Sequence, residues 1–509
     1  MTYYVHSGPR KIALDEVARN GAKLAAGLKD LGIGDGDSYA SFMRNDIAML
    51  ETKVAGNQLG AYSVPVNWHA TAEEAGYMFT DSGAKAIVIH ADLLPGVASH
   101  LPQGVPVLVC ATPPEIAGAY GVRPDLCDVP DGMIDYEAWR DGFEPLTGAP
   151  PLQRGSMIYT SGTTGNPKGV RREPTSAERQ ARLAELALRS FGIRPGGVVA
   201  MTGPMYHSAP GAYASIAMSL GNDIHLLPRF EPEGLLQAIH EHKISHMHVV
   251  PTMFVRMLRL PDAVKAKYDL SSLVHVIHGA APCPPEVKRR MIEWWGDVIY
   301  EYYGSTEAGI VTVVNSTDWM NKPGTVGQPL DGQKVTIYDD DGNELGRGES
   351  GEIYMNLNDL SDFTYHNKAD KRAEIERDGM VTNGDVGYID EDGYVYLNDR
   401  KRDMIISGGV NIYPAEIEAA LLEMPGVQDC AVFGIPHEEF GESIVAAIEP
   451  QPGASLSPET VKEFLKAHIS AYKIPHEVTF HDAMPREDTG KIFKRKLRQP
   501  YWDAAGRQI

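Results

Sequence analysis

The chain has 509 residues, with 47 Lys and Arg against 68 Asp and Glu, and a formal net charge of −21. At 43 % hydrophobic and 23 % charged residues it can build a globular core, which excludes disorder over most of its length. The acidic balance argues against a nucleic-acid binder, but leaves anionic small molecules open, because local donors can outweigh the average field.

Taken in chain order, the segment from Met1 to Arg10 lacks the apolar stretch and cleavage site of a signal peptide. No apolar run approaches the roughly 18–20 residues that span a bilayer, so no transmembrane segment is expected. The spacing predicts a helix from Leu14 to Leu31, a buried strand over Ala84 to His90 and another over Val105 to Cys110. A helix around Leu235, Leu236 and Ile239 precedes a strand at His246 to Val250. This alternation points to a layered α/β body. Past about residue 395 comes a charged run, Asp399 to Asp403. It is followed by helix starts at Pro414 (stopping at Pro425-Gly426) and at Ser457-Pro458-Glu459, the latter with an apolar stripe of Val461, Phe464, Leu465 and Tyr472. The four cysteines, Cys110, Cys127, Cys283 and Cys430, show neither CxxC pairing nor metal-ligand spacing. They fit a reducing compartment. Arg507-Gln508-Ile509 is not a peroxisomal address, so a cytoplasmic location is expected.

The segment most informative about chemistry runs from Tyr159 to Val170. Thr160, Ser161, Gly162, Thr163, Thr164 and Gly165 lead through Asn166-Pro167 to Lys168. Glycines let backbone N–H groups curl around phosphate oxygens, hydroxyls add donors, and lysine adds a point charge. Pro167 before the lysine and Gly169 after it exclude a Walker A loop.

This segment resembles the phosphate-binding loop of the adenylate-forming superfamily, in its acyl-CoA synthetase branch. Further segments resemble that family's motifs in its order, over roughly residues 10 to 500. Tyr302-Tyr303-Gly304-Ser305-Thr306-Glu307 resembles the aromatic-Gly-x-Thr-Glu motif. The resemblance implies an aromatic face for adenine, Thr306 toward phosphate or carboxylate oxygen, and Glu307 as the Mg²⁺ ligand. Gly279-Ala280-Ala281 resembles the small-residue segment beside adenine. Asp385 and Arg400 fall at the ribose- and phosphate-binding positions, although Asp399 replaces the usual glycine before the arginine. Arg402 falls at the hinge, Ser407-Gly408-Gly409 on the CoA loop, and Lys491 at the catalytic lysine near the C-terminus, within a basic cluster that includes Lys494 and Arg498. His207 matches a position near the substrate carboxylate. Tyr206, Ser208, Gly211 and Ala212 belong to the acyl-pocket stretch, where small residues suggest a roomy, largely apolar tunnel. Arg171 and Arg172 either meet a phosphate or face water.

The implied fold is a large N-terminal layered α/β body with a small mobile α+β C-terminal domain: residues 1–399, a hinge at 400–403, and residues 404–509. The implied activity uses ATP and Mg²⁺ to turn a carboxylic acid, fatty or aryl/cinnamic-type, into an acyl-adenylate. Free CoA then takes the acyl group. Loading of a carrier protein is the alternative. A luciferase-like oxidase and a non-catalytic nucleotide-binding regulator are more remote. A homodimer is compatible with the sequence, which does not specify oligomeric state.

Overall fold

A computed structural model describes residues 2–160, 167–357, 360–407, 410–486 and 492–505. The Leu14–Asp30 helix opens with Asp15 and Glu16, whose charges suit its positive N-terminal end. It buries Val17, Leu24 and Leu28 beside the Ile47–Leu59 helix. A parallel sheet runs in the order Tyr62–Pro65, Ser38–Phe42, Ala84–His90, Val107–Cys110, Ile134–Asp135. The Ala84–His90 strand matches its sequence expectation because Ile87, Val88 and Ile89 are buried on both faces. Val105 stays outside the next strand, its amide donating to the Pro102 carbonyl in a turn.

The largest sheet contains a parallel run ordered Asp223–Leu226, Val198–Met201, His246–Val249, His275–His278, Ile299–Ser305. From Val198–Met201 the chain steps first to one side and then to the other. Such a switch point opens a crevice beyond the carboxyl ends of the strands. Thr202, Gly279 to Ala281 and Thr306 all follow those ends. Ile299–Ser305 then pairs antiparallel with Gly309–Asn315, which leads through Thr325–Pro329 and Val395–Arg400 to Asp385–Ile389.

A separate C-terminal domain makes the fold mixed α/β. Its sheet joins Val427–His437 to Gly441–Pro450, Ile405–Ser407, Val410–Ile412 and Glu477–Phe480. The Pro414–Glu423 and Pro458–Lys466 helices pack on it, the second started by a capping box between Ser457 and Thr460. That helix stops at Lys466, so Tyr472 is not part of its apolar stripe; it lies in the Ala471–Lys473 turn, 56 % exposed. No helix among the described residues is long and apolar enough to cross a membrane.

Candidate active site

The antiparallel pairing of Ile299–Ser305 with Gly309–Asn315 slips register between Tyr303 and Gly304. There the two backbones approach so closely that a Cβ on Gly304 would lie 1.9 Å from the Gly309 carbonyl oxygen. This tight turn presents Thr306 and Glu307. The Thr306 hydroxyl lies 3.1 Å from that of Ser208, the first residue of the Ser208–Ser219 helix. His207 occupies the N-cap position of that helix without a side-chain capping bond, its ring 4.3 Å from that of Tyr206. Glu307 is 8 % exposed, and its Oε1 accepts from the Tyr365 hydroxyl at 2.9 Å. Lys168 holds its ammonium 4.9 Å from the centre of the Tyr365 ring, and burial, with help from Lys371, lowers its pKa. Thr160 pairs with Lys168 across the strands Ile158–Thr160 and Lys168–Arg172. Ser161, Gly162, Thr163, Thr164 and Gly165 lie outside the described residues.

Arg172 corrects its expectation. Its guanidinium turns inward onto backbone: Nη2 donates to the carbonyls of Thr306 (2.7 Å) and Glu307 (2.6 Å), and Nη1 to that of Ser361 (2.8 Å). Burial lowers its pKa, yet a guanidinium stays charged at neutral pH. Arg171 donates to the Gly36 carbonyl at 3.2 Å and lies over the Tyr62 ring at 4.7 Å. Five donors on a planar fork explain why arginine serves here, since three carbonyls are satisfied by one side chain. Arg172→Met should leave those buried carbonyls without donors, at about 1–3 kcal/mol each. Its expected result is a lowered melting temperature and at least about 100-fold slower adenylation, because a misplaced carboxylate forfeits orientation. A melt and a pyrophosphate-release assay check both; unchanged adenylation rules out the clamp.

A single cleft is lined by Ala280, Ala281, Tyr302, Tyr303, Gly304, Asp385, Arg400 and Arg402. Ala280 holds φ at +66°, a left-handed conformation that costs an L-residue roughly 1–2 kcal/mol. Strain of this kind concentrates at ligand sites. Gly279 approaches the Tyr302 ring, and the Tyr302 hydroxyl meets His248 Nε2 at 3.0 Å. Asp385 is held on both oxygens. Its Oδ2 accepts from the Tyr303 hydroxyl (3.0 Å) and Asn383 Nδ2 (2.7 Å), and its Oδ1 from Arg400 Nε (3.2 Å). A carboxylate has about four acceptor positions, so capacity remains for one further hydroxyl. Burial and Asp385 together push the Tyr303 phenol pKa up, keeping it a donor.

Asp399, the departure from the family pattern, caps the backbone on both sides. It accepts from its neighbour Arg400 N at 2.7 Å and from Ala415 N at 2.9 Å, an orphan donor at the start of the Pro414–Glu423 helix. Arg402 is exposed, its Nε 3.8 Å from the Asp403 carboxylate. Ser407 ends a strand and pairs with Val410 and Gly441. Gly408, Gly409 and Lys491 lie outside the described residues. The basic cluster is partly neutralised: Lys494 pairs with Glu418 at 2.7 Å, and Arg498 lies 3.6 Å from Asp403.

The acyl-pocket stretch holds two features that sequence reasoning missed. Asn45 donates to the Gly203 carbonyl (2.9 Å) and accepts from Met205 N (2.7 Å), fixing the loop that leads into His207. Lys53, on the Ile47–Leu59 helix, brings its ammonium against Gly211: a Cβ there would lie 2.9 Å from Nζ. Ala212 is exposed, while Tyr206 and Gly211 are buried. A cation therefore sits against the stretch expected to be apolar. Among the described residues no group of three or more His, Cys, Asp or Glu could hold a metal.

Residues 2–360 match the AMP-binding enzyme family, and residues 416–491 match the AMP-binding enzyme C-terminal domain. Feruloyl-CoA synthase of an Amycolatopsis species is 31 % identical over 504 residues, covering 98 % of this chain and 95 % of that protein. The fatty acid–[acyl-carrier-protein] ligase ScoC of Streptomyces coeruleorubidus is 30 % identical over 514 residues, covering 98 % and 93 %. Among solved structures, ATP-bound MatB from Rhodopseudomonas palustris superposes with a TM-score of 0.84 at 27 % identity, covering 99 % of this chain and 96 % of that one.

Proposed function

This chain belongs to the AMP-binding enzymes of the adenylate-forming superfamily, in the acyl-CoA synthetase branch, and from that premise we propose that it is an AMP-forming ligase joining a carboxylic acid to free CoA. The observation that supports this best is the convergence of Thr306, Glu307, Ser208 and Lys168 around one turn, with Asp385 and Arg400 on the adjoining cleft.

A carboxylate is a poor acyl donor because its charge is delocalised and oxide leaves badly. Attack of one carboxylate oxygen on the α-phosphorus of ATP forms the acyl–phosphate bond and breaks the bond to pyrophosphate. Catalysis of such a step is mainly positioning and charge stabilisation. Thr306 and Ser208 supply hydroxyl donors where the carboxylate and α-phosphate meet, with His207 beside the carboxylate. Lys168 and the 160–165 segment hold the departing pyrophosphate. Tyr302 and Gly279 to Ala281 bound the adenine, while Asp385, aligned by Tyr303 and Arg400, accepts from a ribose hydroxyl. Magnesium typically binds one or two carboxylates plus phosphate oxygens, so the single carboxylate of Glu307, pinned on one oxygen by Tyr365, fits it. The ion would supply charge neutralisation for the leaving group. Lys491 bridges carboxylate and phosphate.

In the second half-reaction the CoA thiolate attacks the acyl carbonyl and AMP leaves. Residues 404–509 turn about Arg402, withdrawing Lys491 and bringing in Ser407, Gly408 and Gly409, whose slim backbone admits the pantetheine arm. Arg402→Pro, which fixes φ, should slow thioester formation at least about 10-fold more than adenylation. Single-turnover rates of the two steps check this, and equal slowing removes the hinge.

Loading of a carrier protein is the second reading. It is favoured by Ile406, Val410 and Phe440, exposed at 50 %, 44 % and 47 % beside the Ser407 loop, which a docked protein would cover. A panel of fatty, aryl and dicarboxylic acids with ATP and Mg²⁺, offered either CoA or a pantetheinylated carrier and scored by thioester mass, decides between the two. No thioester with either acceptor rejects both.

A further inference from the structure

Lys53 lies deep in the N-terminal body, yet its side chain keeps part of its surface accessible. The ammonium is not one of the fully enclosed unpartnered polar atoms, so it keeps some accessible surface within the body. Among the described residues its Nζ makes no hydrogen bond or ion pair. Burial alone moves its pKa, down to about 8, and no carboxylate acts on it. A cation held away from water without a counterion is costly unless a ligand supplies one. In contrast, the buried Lys288 has Glu301 at 2.5 Å and Arg140 has Glu51 at 2.8 Å, so the fold elsewhere provides the partner.

The position of Lys53 indicates which ligand. Ser208, Gly211 and Ala212 are spaced i, i+3, i+4 and share one face of the Ser208–Ser219 helix. The Ser208 hydroxyl touches Thr306, at the end where the reacting carboxylate would sit. Gly211 is one turn further along, roughly 5 Å. There, Lys53 Nζ and the Met205 carbonyl occupy the space that a side chain at 211 would fill. The absent side chain at 211 is what lets the ammonium reach that face of the helix.

We propose that Lys53 recognises a second carboxylate on the acid substrate, and that the preferred substrates are dicarboxylic acids whose second carboxylate lies about one helical turn beyond the reacting one. The inference rests on the adenylation reading above and narrows its substrate class. Lysine acts here as a specificity residue: it touches the far end of the substrate, not the reacting atoms. A plain fatty chain would instead bury methylenes against an ammonium and strip its water without compensation.

The test compares dicarboxylic acids of three to eight carbons with their monomethyl esters, at saturating ATP and Mg²⁺, following pyrophosphate release. For the best acid the kcat/KM ratio of diacid to monoester is expected to be at least about 10, carried mainly by KM. In Lys53→Met the ratio should fall to about 1, and Lys53→Arg should restore most of it. A ratio near 1 in the unaltered protein overturns the inference without recourse to a variant. Equal loss of both substrates in Lys53→Met also overturns it, assigning Lys53 to the reacting carboxylate instead. Turnover of monocarboxylates alone rejects the dicarboxylate class and leaves adenylation standing; no pyrophosphate from any acid rejects both.

Discussion

Lys491→Ala is expected to lower adenylation about 1,000-fold while leaving thioester formation from a supplied acyl-adenylate within about threefold of the unaltered rate. The first half-reaction brings a carboxylate against a triphosphate, so two anions must meet while charge gathers on the α-phosphate. Arg400 is engaged by Asp385, Lys494 by Glu418, and Arg172 by three backbone carbonyls. Lys168 sits over Tyr365, on the pyrophosphate side of the turn in the proposed arrangement. A cation for the carboxylate–phosphate junction is therefore still needed, and Lys491 is the one the family pattern offers. In the second half-reaction the adenylate already exists and a thiol must approach, so that lysine has no task. Single-turnover assays of each step, on protein shown to be folded, check the asymmetry. Equal loss in both steps contradicts it.

Gly304→Ala should reduce stability and adenylation together. A Cβ at 304 would stand 1.9 Å from the Gly309 oxygen, a backbone atom that cannot rotate aside. The strands must separate at the register slip, and overpacking of this kind costs about 1–3 kcal/mol or more. In a domain of this size that corresponds to a fall in melting temperature of roughly 2–10 °C. The larger effect is on the site, because the same turn carries Thr306 and Glu307 and a displacement of about 1 Å can cost 100-fold in rate. A thermal melt combined with acid-dependent pyrophosphate release tests this. Normal activity with an unchanged melt would mean that the turn does not position the pair.

Much of the fold was legible because its signals are local. Ile87-Val88-Ile89 reads as a doubly buried strand and is one, and Ser457-Pro458 announces a helix through capping chemistry that needs no tertiary partner. Tyr472 misled because an apolar residue at the right spacing continues a pattern even after the helix has ended. At the site, the motif residues were visible as strings, but their supports were not. Tyr365 is 58 residues from the Glu307 it bonds, and Asn45 is 160 from Met205. Only the folded sheet brings them together. Arg172 was noticed as a charge next to a phosphate loop, whereas its true partners are backbone carbonyls that any sequence would supply. Lys53 carried no signal, since an isolated lysine on a helix normally faces water; its significance comes from the glycine 158 positions later that leaves room for it. The acidic balance of −21 disfavours polyanions as partners, while the cations relevant to the proposed function are few and placed locally.

The central claim is that a carboxylic acid attacks ATP directly, before any thiol is involved. Isotope exchange between labelled pyrophosphate and ATP, measured with Mg²⁺ and the acid panel but without CoA, tests it most directly. The expected result is exchange that appears only when a substrate acid is present and disappears in Lys491→Ala. Exchange that requires CoA, or its absence with every acid, would contradict an adenylate-forming mechanism for this chain.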